Sequence, residues 1–203
     1  MSWISIGKTM SQATYEDAVR FHGHSCPGLA IGYRMTTAAL AALEAARARD
    51  EELVAIVEND ACGVDAVQLV AGCSFGKGNL VFRDYGKPVY AFFSRRTGRG
   101  VRVLGHRRGL PEALRGDREA YIHWILTAPE TDVVSCREAT ADVPPRARLH
   151  ASGRCAACGE PVMEPRLRDV GGRLLCIPCA DAEKKEGGSA FADPPFAALK
   201  IRL

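Results

Sequence analysis

Four cysteines in the order Cys155-x2-Cys158-x17-Cys176-x2-Cys179 constrain this chain more than any other feature. A Cys-x-x-Cys turn brings two sulfurs to one side. Two such turns supply the tetrahedron that Zn²⁺ accepts, with Zn–S bonds of about 2.3 Å. Gly159 follows the first pair and suits the positive φ of such a turn. Val162 to Leu167 and Gly171-Gly172 suggest a short hairpin between the pairs. A segment this short buries little apolar surface, so the metal supplies most of its folding free energy. A thioredoxin-like redox pair and an iron–sulfur cluster are the competing readings. Structural zinc is the reading adopted, with all four coordination positions filled by Cys155, Cys158, Cys176 and Cys179.

Close-set cysteines that bind metal fit a reducing compartment better than an oxidising one. The start of the chain has one cation, Lys8, before Ser11 and no sustained apolar stretch, which does not read as a signal peptide. No apolar run approaches the roughly 20 residues of a membrane span. The expected compartment is the cytoplasm. The net charge of +3 is too small to announce nucleic acid. Arg95 to Arg108 is a local exception, rich in arginine and free of acids. It reads either as a solvated hairpin or as an anion or partner patch.

Pro144-Pro145 marks a linker over 139–154. It divides a core domain, 1–138, from the four-Cys ribbon, 155–180, and a tail, 181–203. The tail's apolar end, Phe191 to Leu203, is expected to pack on the core or on a second copy of the chain. Within the core, Ala13 to Arg20 is predicted helical, with Thr14 as N-cap and Asp17 three residues on. A long helix is predicted from Pro27 to about Arg49, because proline favours a first turn and none interrupts the rest. Leu53 to Glu58 reads as a buried strand and Asp65 to Val70 as a short helix. Val89 to Phe93 and Val101 to Leu104 read as paired strands. Glu119 to Leu126 reads as a helix and Asp132 to Cys136 as a last strand, which places Cys136 in the core. Strands and helices mix without strict alternation, so the predicted class is α+β, with a small C-terminal zinc ribbon.

His22, Gly23, His24, Ser25, Cys26, Pro27 and Gly28 form the most unusual stretch of the core. In an extended backbone residues 22, 24 and 26 point to one side. Cys26 also sits at the mouth of the long helix, whose positive end favours a thiolate. His22, His24 and Cys26, joined by Cys62, are candidate metal ligands. Cys26 is equally a candidate nucleophile with His22 or His24 as its base. The stretch Asn59 to Asp65 follows the buried strand and holds Asp60, Cys62 and Asp65. Asp60 and Asp65 are candidates for orienting the ligands or moving protons. Gly72 to Asn79 holds three glycines and Lys77, a candidate for meeting an anionic group. It is not a P-loop, because the glycines are one residue too close and Gly78 stands where Ser or Thr is needed. Cys73 reads either as a packed hydrophobe or as part of the cluster. His106 and His123 read as structural.

Phe21 to Met35, Asp60 to Leu80, and Asp84-Tyr85-Gly86-Lys87 resemble FmdE, the family of E-type components of formylmethanofuran dehydrogenase, over roughly residues 12–138. The trailing ribbon resembles the C4 zinc finger that many members append. The resemblance implies an α+β core, commonly dimeric, with the His/Cys cluster lining a cleft. It also implies a link to a molybdenum or tungsten enzyme that fixes CO₂ as a formyl group. Nothing in this chain would bind a pterin by itself. The expected function is therefore a metal-binding protein with a candidate His/Cys active site, linked to molybdenum/tungsten one-carbon or formate metabolism. Two metals are expected: structural zinc in the ribbon, and a second transition metal in the core. The rival reading is a non-catalytic accessory or regulatory protein whose ribbon docks a partner protein or DNA. Glu160, Glu164 and Asp169 interleave with Arg154, Arg166, Arg168 and Arg173, which favours protein over DNA.

Overall fold

The computed structural model describes residues 13–114, 116–140 and 143–186. The expected packing of Phe191 to Leu203 lies outside these. The chain forms two compact units, one ending at Ala147 and the other beginning at Arg148.

The first unit is an α+β layer structure. Its sheet has five strands: β1 (Leu53–Val57), β2 (Leu80–Phe82), β3 (Val89–Ser94), β4 (Gly100–Gly105) and β5 (Val134–Glu138), in the order β2-β1-β3-β4-β5. β1 pairs parallel to β2, and the other pairs are antiparallel. β1 has neighbours on both sides and its residues are all buried, which is why it reads as an unbroken apolar run. β2 has no counterpart among the expected elements, because three residues are too few for a pattern to show. Cys136, expected in the core, is exposed: β5 is an edge strand, and its residues beyond Ser135 lie open to solvent.

Helices α1 (Tyr15–His22) and α2 (Pro27–Ala42) precede the sheet, and α2 packs on β4 and β5. Thr14 and Asp17 close a capping box at the start of α1. α2 is 16 residues long and stops well before Arg49. Its end is a Schellman turn: Ala45 N–H donates to the Leu40 carbonyl at 2.9 Å and Glu44 N–H to that of Ala41 at 3.0 Å. The turn needs a left-handed residue, and Glu44 adopts φ 50° there in place of the usual glycine, so no stop signal shows in the pattern of residues. After β1, α3 (Gly63–Ala66) runs into one π-helical turn, Val67–Ala71. α4 (Arg118–Thr127) packs on α2, and Arg34 of α2 donates to the carbonyls of Ile125 and Ala128 at its end. α5 (Glu130–Val133) is a single turn leading into β5.

Asn79 ties the loop before β2 to the start of β1. It is fully buried, accepts from Ser74 N–H, and donates to the carbonyls of Asp50, Leu53 and Gly72. Asn79→Ala strands several of these groups in the interior. It is expected to lower stability by about 2 kcal/mol, read as a fall in the urea midpoint.

The arginine-rich stretch is largely spent on structure. Arg95 donates to the carbonyls of Glu51 and Pro144, Arg99 to that of Ala42, and Arg102 to the Glu58 carboxylate. Arg107 lies over the Tyr121 ring.

The second unit is the ribbon. β6 (Ser152–Arg154) and β7 (Pro161–Met163) flank the first Cys pair. β8 (Arg168–Val170) and β9 (Arg173–Leu175) form the hairpin around Gly171-Gly172, and α6 (Ile177–Glu186) carries Cys179.

Candidate metal centres in the core and the ribbon

Each Cys-x-x-Cys pair of the ribbon begins where a strand ends. Gly159 turns the first with φ 75°. The four sulfurs lie within 4.8 Å of one another, and Cys158 and Cys176 are 4.0 Å apart. Sulfurs bound tetrahedrally at zinc stand about 3.8 Å apart, so the set closes on the ion with little movement. The protein prepares one thiolate itself: backbone N–H groups of Cys158 and Cys176 lower the Cys155 thiol to about 6. It resists a fourth: Cys176 first, then burial and Cys155, push Cys179 up to about 12. A dication at the centre is what reconciles four thiolates in one place.

The core cluster is assembled from two segments far apart in sequence. α1 ends at His22, with Gly23 as its C-cap. Cys26 is the N-cap of α2, and its sulfur accepts from Leu29 N–H at 3.3 Å. Cys62 precedes α3. His22, Cys26 and Cys62 present donor atoms all within 4.8 Å of one another, and His22 Nε2 lies 3.9 Å from Cys26 Sγ. Cys26 is buried, while His22 and Cys62 are partly open. Burial first, then the neighbouring Cys26, raises the Cys62 thiol.

Asp65 completes the arrangement from behind. Its Oδ2 is 2.7 Å from His22 Nδ1, and Gln68 donates to its other oxygen. A carboxylate on Nδ1 fixes the tautomer with the lone pair on Nε2, the atom that faces Cys26.

Three glycines explain how the segments meet. Gly28 and Gly32 lie one turn apart on α2, and Gly63 opens α3. A Cβ on Gly32 would fall 2.7 Å from the Gly63 carbonyl carbon; one on Gly28 would fall 3.3 Å from Cys62 Cβ. The helices touch backbone to backbone, and that contact sets Cys62 beside Cys26. A Cβ on Gly63 would fall 2.5 Å from the Tyr90 hydroxyl, which caps the contact from β3. Burial raises the pKa of Tyr90, helped by Cys62 and Asp65 nearby. Small residues at i and i+4 in α2 were the available sequence signal for this contact, and Gly63 beside Cys62 was its other half.

The remaining candidates sit elsewhere. His24 is exposed, outside the three-donor group, with its ring centroid 4.6 Å from that of His22. Asp60 is exposed, two residues before Cys62. Lys77 donates to the carbonyls of Asp50 and Ala48 at 3.0 and 3.5 Å. Cys73 is fully buried in the main core, where burial pushes its thiol up to about 12. His106 bonds Ser135 through Nε2 at 2.9 Å.

A sequence profile described as "FmdE, Molybdenum formylmethanofuran dehydrogenase operon" matches residues 21–135. The chain belongs to the FmdE family. The match takes in His22, Cys26, Cys62 and Asp65. A second profile, the prokaryotic dksA/traR C4-type zinc finger, matches residues 151–185 and takes in the four ribbon cysteines. The chain is a metal-binding, zinc-finger protein with a structural zinc site. A solved structure from Syntrophus aciditrophicus, of an FmdE-like protein of the tungsten formylmethanofuran dehydrogenase type, is similar at TM-score 0.63 and 25% identity. It covers 90% of this chain and 100% of the other. A "Probable S-adenosyl-L-methionine-binding protein" of Archaeoglobus fulgidus is 30% identical over 194 residues, covering 80% of this FmdE-family chain and 51% of the relative. The chain thus spans about half the length of that relative. Among the described residues, no helix is long and apolar enough to cross a membrane.

Proposed function

We propose that this is a cytoplasmic protein that holds a second transition metal in its core, at His22, Cys26 and Cys62, as the centre of an active site. The observation that carries the reading is convergence. Donors from two remote segments meet within 4.8 Å, with Asp65 hydrogen-bonded to the far side of the one imidazole. Catalytic metal sites commonly take three protein ligands and keep a position for substrate, and a two-Cys, one-His set is among the known ones. The metal would supply Lewis acidity at that position. Cys26 and Cys62 would bind as thiolates and His22 as neutral imidazole, while Asp65 keeps His22 oriented. The helix start at Cys26 stabilises the negative charge on its sulfur. Lys77 has no role in this reading, since backbone carbonyls hold its ammonium group.

The family description and the tungsten-enzyme wording of the similar structure support service to a molybdenum or tungsten oxidoreductase of one-carbon metabolism. The resemblance also supports a homodimer, for which Phe82 and Tyr85, exposed in and after edge strand β2, offer apolar surface.

A second reading rests on the ribbon. Met163 and Leu174 are about half exposed there, beside charged neighbours, which suits docking of a partner protein by a non-catalytic accessory factor.

Metal content per chain, measured by mass spectrometry, tests the proposal. Two metals in the wild type and one in Cys26→Ala/Cys62→Ala are expected. One metal in both would remove the core site and leave the accessory reading.

A further inference from the structure

The core centre has a side that faces solvent, and its chemistry selects what enters there. On the helix side it is closed: a Cβ on Gly28 would lie 3.8 Å from Cys62 Sγ and 3.9 Å from Cys26 Sγ. Asp65 occupies the far nitrogen of His22. On the other side His24 and Ser25 are exposed, and Phe21, one residue before His22, exposes an apolar ring. Among the described residues, no fourth side chain joins the three-donor group. Resting on the reading that this group binds a divalent metal, we propose that its fourth position takes the sulfur of a small thiol, bound as the thiolate.

Three properties of the site lead there. Two cysteine thiolates neutralise a divalent ion, so a fourth ligand meets no net charge from the centre. The start of α2, a helix of 16 residues capped by Cys26 itself, adds positive potential at that spot. An anionic ligand is favoured over a cationic one. Two sulfurs and an imidazole also make a soft donor set, which selects metals that prefer sulfur over carboxylate oxygen. Phe21 offers the ligand's carbon chain an apolar neighbour. On binding, the S–H bond breaks, the metal–sulfur bond forms, and the proton passes to solvent. No oxidant or reductant is consumed.

The test uses the full chain loaded with Co²⁺ and 2-mercaptoethanol as the probe, with acetate as the oxygen-donor comparison. The near-ultraviolet sulfur-to-cobalt charge-transfer band is recorded. The ribbon, with four thiolates, has no vacant position and serves as an internal reference for intact zinc-site folding. Loaded wild type carries six cysteine thiolates on cobalt, four in the ribbon and two in the core. Adding the thiol should raise the band by about a sixth, as a seventh joins them. Acetate should leave it unchanged. Cys26→Ser/Cys62→Ser, checked by circular dichroism for a folded core and by its ribbon band, should not respond to the thiol. No response in wild type with two cobalt ions bound, or an equal response in the variant, would overturn the thiol site while leaving the core metal standing. One cobalt per chain in wild type would overturn both.

Discussion

Stripping the ribbon of its zinc should unfold it while the α+β core keeps its structure. The ribbon's interior consists of Cys155, Leu175, Cys176 and Ala180, with Val162, Val170 and Cys179 partly buried against them. Three of these seven are metal ligands. Leu175 is the largest side chain that is fully buried there. At about 1.5–3 kcal/mol for a buried aliphatic side chain, such a cluster cannot offset the ordering entropy of some 30 residues. Structural zinc in small domains contributes about 10–16 kcal/mol of apparent binding free energy, enough to decide the state of the module. Without the ion, the crowding that raises Cys179 also works against gathering the thiols as thiolates. The core clusters share no residue with this one. Hydrogen exchange after treatment with a chelator, or on Cys176→Ala, should show loss of protection across 155–180. Strands β1, β3 and β4 should stay protected. Retained protection in the ribbon of Cys176→Ala would defeat the zinc account.

What was legible in the sequence follows from the range of the interactions involved. The ribbon was readable because its ligands come in two local pairs and the chemistry dictates their spacing. The mixed α+β class, the capping box at Thr14, and strands β1, β3 and β4 were readable because each is written in a short stretch of pattern. The end of α2 was not. A glutamate at φ 50° takes the position where glycine would have announced the stop. β2 is too short to show a pattern, and Cys136 looked apolar enough for a core although the strand lies at the sheet's edge. The core cluster was half legible. His22 and Cys26 stand four residues apart, while Cys62 arrives only through a helix contact between Gly32 and Gly63, which no local pattern encodes. The geometry also separates His24 from the three-donor group, because the chain between 22 and 26 is not an extended strand: His22 ends a helix and Gly23 turns at φ 95°.

That helix contact is where fold and site can be broken by one methyl group. Gly32→Ala is expected to cost about 3 kcal/mol or more, at or beyond the upper end of the usual range for overpacking. Overpacking is often relieved by a side chain changing rotamer. Here the new Cβ meets the backbone of Gly63, including its carbonyl carbon at 2.7 Å, and has no flexible neighbour to displace. α2 cannot retreat readily, because it also packs on α4 and on strands β4 and β5. α3 must therefore move, and it carries Cys62 at its start and Asp65 in its first turn. The expected result is a lower thermal midpoint together with loss of the core metal, while the ribbon's zinc stays bound. The paired loss distinguishes this contact from ordinary core packing. Asn79→Ala, in a loop of the same unit, should lower stability and spare the metal. If Gly32→Ala kept wild-type stability and two metals per chain, the close helix contact would not be what brings Cys62 to Cys26.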